Sequence, residues 1–128
     1  MIRSLRLTTL PGRLAVCRMA QNAEIPGWAA AGGFFSITRT AEELSLVCAE
    51  RLVPASVQME SGWRALKVEG PLDFALTGIL AGLAGALAQA GISLFAISTY
   101  DTDYVLVKEK DLDKAVEALR AAGCECNP

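Results

Sequence analysis

The sequence predicts an α+β fold of two ferredoxin-like units in tandem, with antiparallel sheets, helices on one face, and the first unit degenerate. Three observations predict it. The C-terminal half reads strand, helix, strand, strand, helix, strand, which is the ferredoxin-like order. The N-terminal half reads strand, short helix, strand, strand, with one additional strand at its front. Between them, the long uncharged run from Phe74 to Tyr100 breaks at Ala90-Gly91, where a helical pattern gives way to β-branched and aromatic residues. The units are assigned to residues 1–58 and 59–128. A chain of 128 residues holds one ordinary domain or two very small ones sharing a core.

The uncharged run has two incompatible readings. As one helix it is long enough to cross a bilayer. As a helix, a glycine break and a strand, it is the buried centre of a soluble domain. Gly91 stands where a C′ glycine ends a helix, and Asp73 and Asp101 bracket the run without a basic cluster. The second reading is therefore the expectation, with no membrane partner. The Gly78/Gly82 spacing then serves close backbone packing and not dimerisation in lipid.

The elements follow in order. Leu5–Thr9 alternates as a half-buried strand, and Pro11-Gly12 signals a turn into a second strand, Leu14–Met19, giving an expected hairpin. Residues 25–31 allow a short helix that Gly32-Gly33 stops. Phe34–Arg39 and Leu44–Cys48 read as antiparallel partners. The polar stretch Ala49–Gly62 lacks periodicity and reads as the link between units. Residues Trp63–Glu69 alternate as a strand, and Gly70-Pro71 turns the chain into a helix over Thr77–Ala90 with Leu80, Leu83 and Leu87 inward. A strand to Tyr100 turns through Asp101-Thr102 into Asp103–Lys108. Asp111 opens a second helix that Gly123 ends, and Cys124–Cys126 forms a last edge strand. The degenerate first unit is expected to lack its second helix and to take its missing strand from Leu5–Thr9.

Composition narrows the function. The chain is 52% hydrophobic and 20% charged, as packed globular proteins are, and its formal net charge of −2 offers no basic footprint for nucleic acid. Its first six residues are too short and interrupted for a signal peptide, and the cytoplasm is the expected compartment. Histidine is absent, which removes the commonest general base and metal ligand. Cys17 and Cys48 fall in strand patterns, and Cys124-Glu125-Cys126 lacks a second pair to complete a zinc site. No phosphate loop or nucleotide fingerprint is present, so no cofactor and no metal are expected, and catalysis is not.

Thr77-Gly78-Ile79-Leu80-Ala81, followed by Leu87-Ala88-Gln89-Ala90-Gly91-Ile92, resembles the signature of the ACT domain family. Leu10–Cys17, Phe35–Thr40, Trp63–Leu66 and Ile97–Asp103 are similar to the small bacterial tandem-ACT proteins and to the ACT units of CASTOR-type arginine sensors. The resemblance implies a non-enzymatic regulatory protein that binds an amino acid at an interface between ACT units, and a homodimer or higher homo-oligomer. The alternative is a protein–protein interaction module that keeps the fold without a ligand. The resemblance points to Thr99, Tyr100 and Asp103 as ligand residues, with Leu76, Thr77, Gly78 and Ile79 at the helix start. Physical chemistry supports that set. Free N–H groups and the positive end of the helix suit an α-carboxylate, and Asp103 suits an ammonium or guanidinium. Leu76 stands where an acidic residue would help to hold a guanidinium, so an amino acid is implied without arginine being singled out. The polar turn chemistry of Asp101-Thr102-Asp103 serves a hairpin equally well.

Overall fold

The computed structural model describes residues 2, 4–70 and 78–127. The chain divides into two compact units, one of residues 1–11 and 64–128 and the other of residues 12–63. The sequence reading puts the boundary at 58/59 and leaves the first strand with the N-terminal unit. The structure puts residues 1–11 with the C-terminal unit instead.

The unit of residues 12–63 contains β2 (Leu14–Met19), β3 (Ser36–Arg39), β4 (Leu44–Ala49) and the first part of β5 (Gln58–Val68), after a first strand β1 (Arg6–Thr9) that belongs elsewhere. Its strands run in the order β3-β4-β2-β5, antiparallel throughout. This is the ferredoxin-like order with both helices reduced to single 3-10 turns, Gly27–Ala30 and Glu50–Leu52. The expected hairpin between Leu5–Thr9 and Leu14–Met19 does not form. The two strands pair with different parts of β5, residues 66–68 for β1 and 58–63 for β2. The missing strand of the degenerate unit is thus residues 58–63, of which the sequence reading assigns 58–62 to the link. Alternation fails there for a physical reason. The β2–β5 register slips between Leu14 and Val16, and Gly62 takes a left-handed φ of 80°. A bulge of this kind shifts the phase of every later side chain.

Glu50 holds the bulge. One carboxylate oxygen accepts the Gly62 N–H at 2.7 Å, and the other accepts the Arg13 guanidinium. Buried Ala15, Cys17, Ala29, Leu44, Leu46 and Cys48 form the core, and Trp28, Val53 and Val57 pack over it in place of helices.

In the other unit the strand order is β8-β1-β5-β7-β6, with β6 (Leu94–Ser98), β7 (Asp103–Lys108) and β8 (Glu125–Asn127). β1 is an inserted strand, antiparallel to β5 and parallel to β8. Leu7, fully buried, lies opposite Val68 on one side and Cys126 on the other. Helices α1 (Ile79–Gln89) and α2 (Leu112–Ala121) bring Leu83, Leu87, Ala115 and Leu119 onto Leu7, Leu66, Val68, Val105 and Val107.

Both helices stop as the glycines predict. The Gly91 and Ile92 N–H groups donate to Ala88 and Leu87, and those of Gly123 and Cys124 donate to Arg120 and Leu119. These are two Schellman motifs with φ of 76° and 102° at the glycines, each closed by a buried C″ side chain. The uncharged run therefore folds back at Gly91, and no helix among the described residues is long and apolar enough to cross a membrane. Gly82 has a separate reason to be glycine, since a Cβ there would lie 2.5 Å from Ile2 Cγ2.

Gly62→Ala isolates the backbone cost of the bulge, because the added Cβ meets no atom within 4 Å. The expected loss is about 1–2 kcal/mol in urea unfolding, the cost of a left-handed non-glycine residue. A variant as stable as the parent would show that the bulge relaxes freely.

Candidate functional site

Three of the expected ligand residues are gathered on one hairpin. β6 and β7 pair in register from Leu94↔Val107 to Ser98↔Asp103, which leaves Thr99, Tyr100, Asp101 and Thr102 in the turn. The Thr99 N–H donates to the Thr102 carbonyl at 2.8 Å, and its hydroxyl donates to the same oxygen at 3.1 Å. The Thr102 N–H returns a bond to Thr99 Oγ1 at 3.3 Å. The turn is therefore closed by threonines. Ser98 Oγ donates to Asp103 Oδ1 at 2.6 Å, so one carboxylate oxygen is engaged and the side chain is held across the hairpin to β6. Tyr100 projects outward and is 82% exposed.

The residue that fixes this hairpin is Thr102, which the sequence reading treats as ordinary turn chemistry. It is 5% exposed, and its hydroxyl donates to the Val68 carbonyl at 2.6 Å. Val68 is the last residue of β5, so the bond fastens the turn to the strand end that leads toward α1. The sequence carries one faint signal for it. Thr102 keeps the period of Tyr104 and Leu106, which places its side chain on a covered sheet face.

Gly78 and Ile79 occupy the start of α1. Gly78 is the N-cap with φ 81°, and the first helical bond runs from the Gly82 N–H to its carbonyl at 2.8 Å. The N–H groups ahead of Gly82 consequently lie outside the helical ladder, as at any helix start. Ile79 packs its side chain against the core. Leu76 and Thr77, and Phe74 at the head of the uncharged run, lie outside the described residues. The structure thus unites Thr99, Tyr100 and Asp103 on one turn, and puts Gly78 and Ile79 on a separate element. On the other unit, Arg39 donates to the carbonyls of Gln21 and Ala23, the latter at 2.7 Å, and so fastens a loop.

The cysteines are sealed away. All four are buried thiols. Burial first, and then its neighbour Cys48, pushes the Cys17 thiol up to about 11. Burial likewise pushes Cys48, Cys124 and Cys126 up. At neutral pH they are protonated and poor nucleophiles. Among the described residues no group of three or more His, Cys, Asp or Glu side chains is placed to hold a metal ion.

A family model for the ACT domain matches residues 58–121, half of the chain. The chain belongs to the ACT domain family. A second model, of an N-terminal domain, matches residues 12–56, which fall within the other compact unit. The ACT chain is 37% identical over 91 residues to the Homo sapiens cytosolic arginine sensor for mTORC1 subunit 1. That match covers 69% of the chain and 26% of the sensor, so it spans about a quarter of the relative's length. A crystal structure of an Agobacterium tumefaciens protein superposes with a TM-score of 0.91 at 39% identity, covering 96% of this ACT chain and 92% of that one. The aspartate kinase of Clostridium acetobutylicum shares the fold at a TM-score of 0.68 and 15% identity, over 96% of this chain and 36% of the kinase.

Two measurements test this description. Thr102→Val leaves the Val68 carbonyl without its donor and is expected to cost about 1–3 kcal/mol, while Thr102→Ser retains most of the stability. A loss in Thr102→Ser with none in Thr102→Val would assign the effect to the methyl group and not to the bond. For the thiols, the folded state favours the protonated form. Stability is therefore fully present below the usual thiol range near 8.5 and is lost as pH rises toward 11. Urea midpoints between pH 8 and 11 should fall, and fall less in Cys17→Ala. Identical alkaline slopes in the two proteins would contradict burial as the cause.

Proposed function

We propose that this chain is a non-enzymatic regulatory protein that binds an amino acid at an interface between ACT units. Thr99, Tyr100 and Asp103 supply one wall of the site, and Leu76, Thr77, Gly78 and Ile79 at the helix start supply the other. The observation that carries this reading is the pinned hairpin. Thr102 fastens the turn to β5, and Ser98 holds the Asp103 carboxylate in one position. Pre-ordering lowers the entropy lost on capture of a ligand. The helix start contributes N–H groups and a positive dipole end for a carboxylate, and Asp103 faces the ammonium. The human relative is named as a cytosolic arginine sensor, which supports amino-acid sensing and a cytosolic setting. A second copy of the chain completes the interface, since β6 pairs with β7 alone among the described strands and presents an open edge.

A thermal-shift screen with the twenty amino acids tests the proposal. At a concentration of a hundred times Kd a ligand adds about 2.7 kcal/mol, a rise of several degrees for a chain of this size. Asp103→Asn should abolish the rise while the unliganded midpoint stays close to the parent's. If none of the twenty shifts the parent protein, ligand binding is ruled out at this site and the interaction-module reading takes its place.

A further inference from the structure

A cavity of about 840 Å³ lies in the unit of residues 1–11 and 64–128, and none of the expected ligand residues lines it. Its roof is α2. Leu112, Val116 and Arg120 form one row of that helix at i, i+4, i+8, and Asp113 and Glu117 form the adjacent row. Its floor is made where β1 ends, at Thr9 and Pro11, together with Arg64 of β5 and the β8 residues Cys126 and Asn127.

Two guanidinium groups are fixed at this cavity by main-chain carbonyls. Arg64 donates to the Leu10 carbonyl at 3.2 Å and to Glu109 Oε1 at 3.3 Å, and Arg120 donates to the Cys126 carbonyl at 2.8 Å. Arg64 is mostly buried, with a side-chain exposure of 19%, and its Nε is buried without a hydrogen-bond partner. A mostly buried guanidinium with one N–H unsatisfied is costly to keep unless an acceptor is supplied. The helix dipole accounts for an acid in the first turn of α2 and an arginine in the last. It does not account for both lining the same cavity as a second arginine.

The lining carries two cations and two anions, with apolar surface from Leu112, Val116 and Pro11 between them. A plain anion would meet Asp113 and Glu117, and a plain cation would meet the arginines. We propose that this cavity is a second binding site, for a zwitterion with an apolar body, its carboxylate on Arg120 and Arg64 and its ammonium on Glu117 and Asp113. The volume falls in the range of small-molecule sites, about 300–1,000 Å³. Glu117 and Arg120 are one turn apart, about 4.5 Å along the helix, and Asp113 and Arg120 about 10 Å. A free apolar amino acid fits the first spacing and a short apolar peptide the second.

Calorimetric titration of the whole chain with leucine, leucyl-leucine and octanoate tests the site and separates the two sources. Leucine or leucyl-leucine should bind, with octanoate weaker by about tenfold or more, the effect of one lost charge-assisted bond. Glu117→Gln and Arg120→Gln should each weaken the zwitterion about tenfold. Glu117 is exposed on α2 and is the variant least tied to folding. Asp103→Asn should leave this binding unchanged, which keeps the result apart from that of the hairpin site. The proposal is overturned by silence with both zwitterions, by octanoate binding as tightly, or by binding that responds to Asp103→Asn and ignores Glu117→Gln.

Discussion

The unit that carries both candidate sites depends on β1 lying between β5 and β8. In the simple ferredoxin-like order the last strand pairs with the first. Here Arg6–Thr9 occupies that place and makes two ladders at once, antiparallel to β5 through Leu7↔Val68 and parallel to β8 through Leu7↔Cys126. Leu7 is fully buried by this arrangement, beneath both helices. Without β1, β5 and β8 would each lose a ladder, and the core its central side chain. The insertion also sets local chemistry. Because β1 stops at Thr9, the Leu10 carbonyl is available to Arg64, and Pro11 becomes a wall of the cavity beneath α2. Ile2, just ahead of β1, comes so close to α1 that only glycine fits at position 82.

The same insertion marks the limit of what the sequence reveals. Leu5–Thr9 is plainly a strand by alternation, but alternation says nothing about which strand lies alongside. Pro11-Gly12 is strong turn chemistry, and the nearest strand in sequence is the natural partner, so a hairpin is the local inference. The winning arrangement is non-local and offers both strands places along β5, a strand whose full length local pattern conceals. Residues 58–62 read as a link because the Gly62 bulge breaks their period against Trp63 onward. The C-terminal elements, by contrast, are legible almost to the residue. Gly91 and Gly123 are needed for left-handed C′ positions, and that requirement is local.

Legibility of the hairpin site follows the same division. The Asp-Thr-Asp turn is visible from composition, because short polar side chains satisfy turn N–H groups. What composition conceals is which of them turns inward. Thr102 is the buried one, and its bond to Val68 depends on β7 lying beside β5. The cavity beneath α2 was not legible at all. Leu112 and Val116 have the spacing of core residues on an amphipathic helix, and nothing in the sequence singles out Asp113, Glu117 and Arg120. Only the end of β1 beneath that helix opens a space there.

β5 connects the two candidate sites within this unit. Val68 receives the hairpin and Arg64 reaches the cavity, four residues apart, or about 13 Å along an extended strand. Both positions lie on a strand flanked by β1 and β7. A strand paired on both sides has no second packing arrangement to move into, and coupling between sites requires an element with two states. The geometry of β5 therefore argues for independent occupancy. Any communication between the sites would have to travel through an element that can shift, and α2, held by a Schellman motif at one end and a 3-10 turn at the other, is anchored at both.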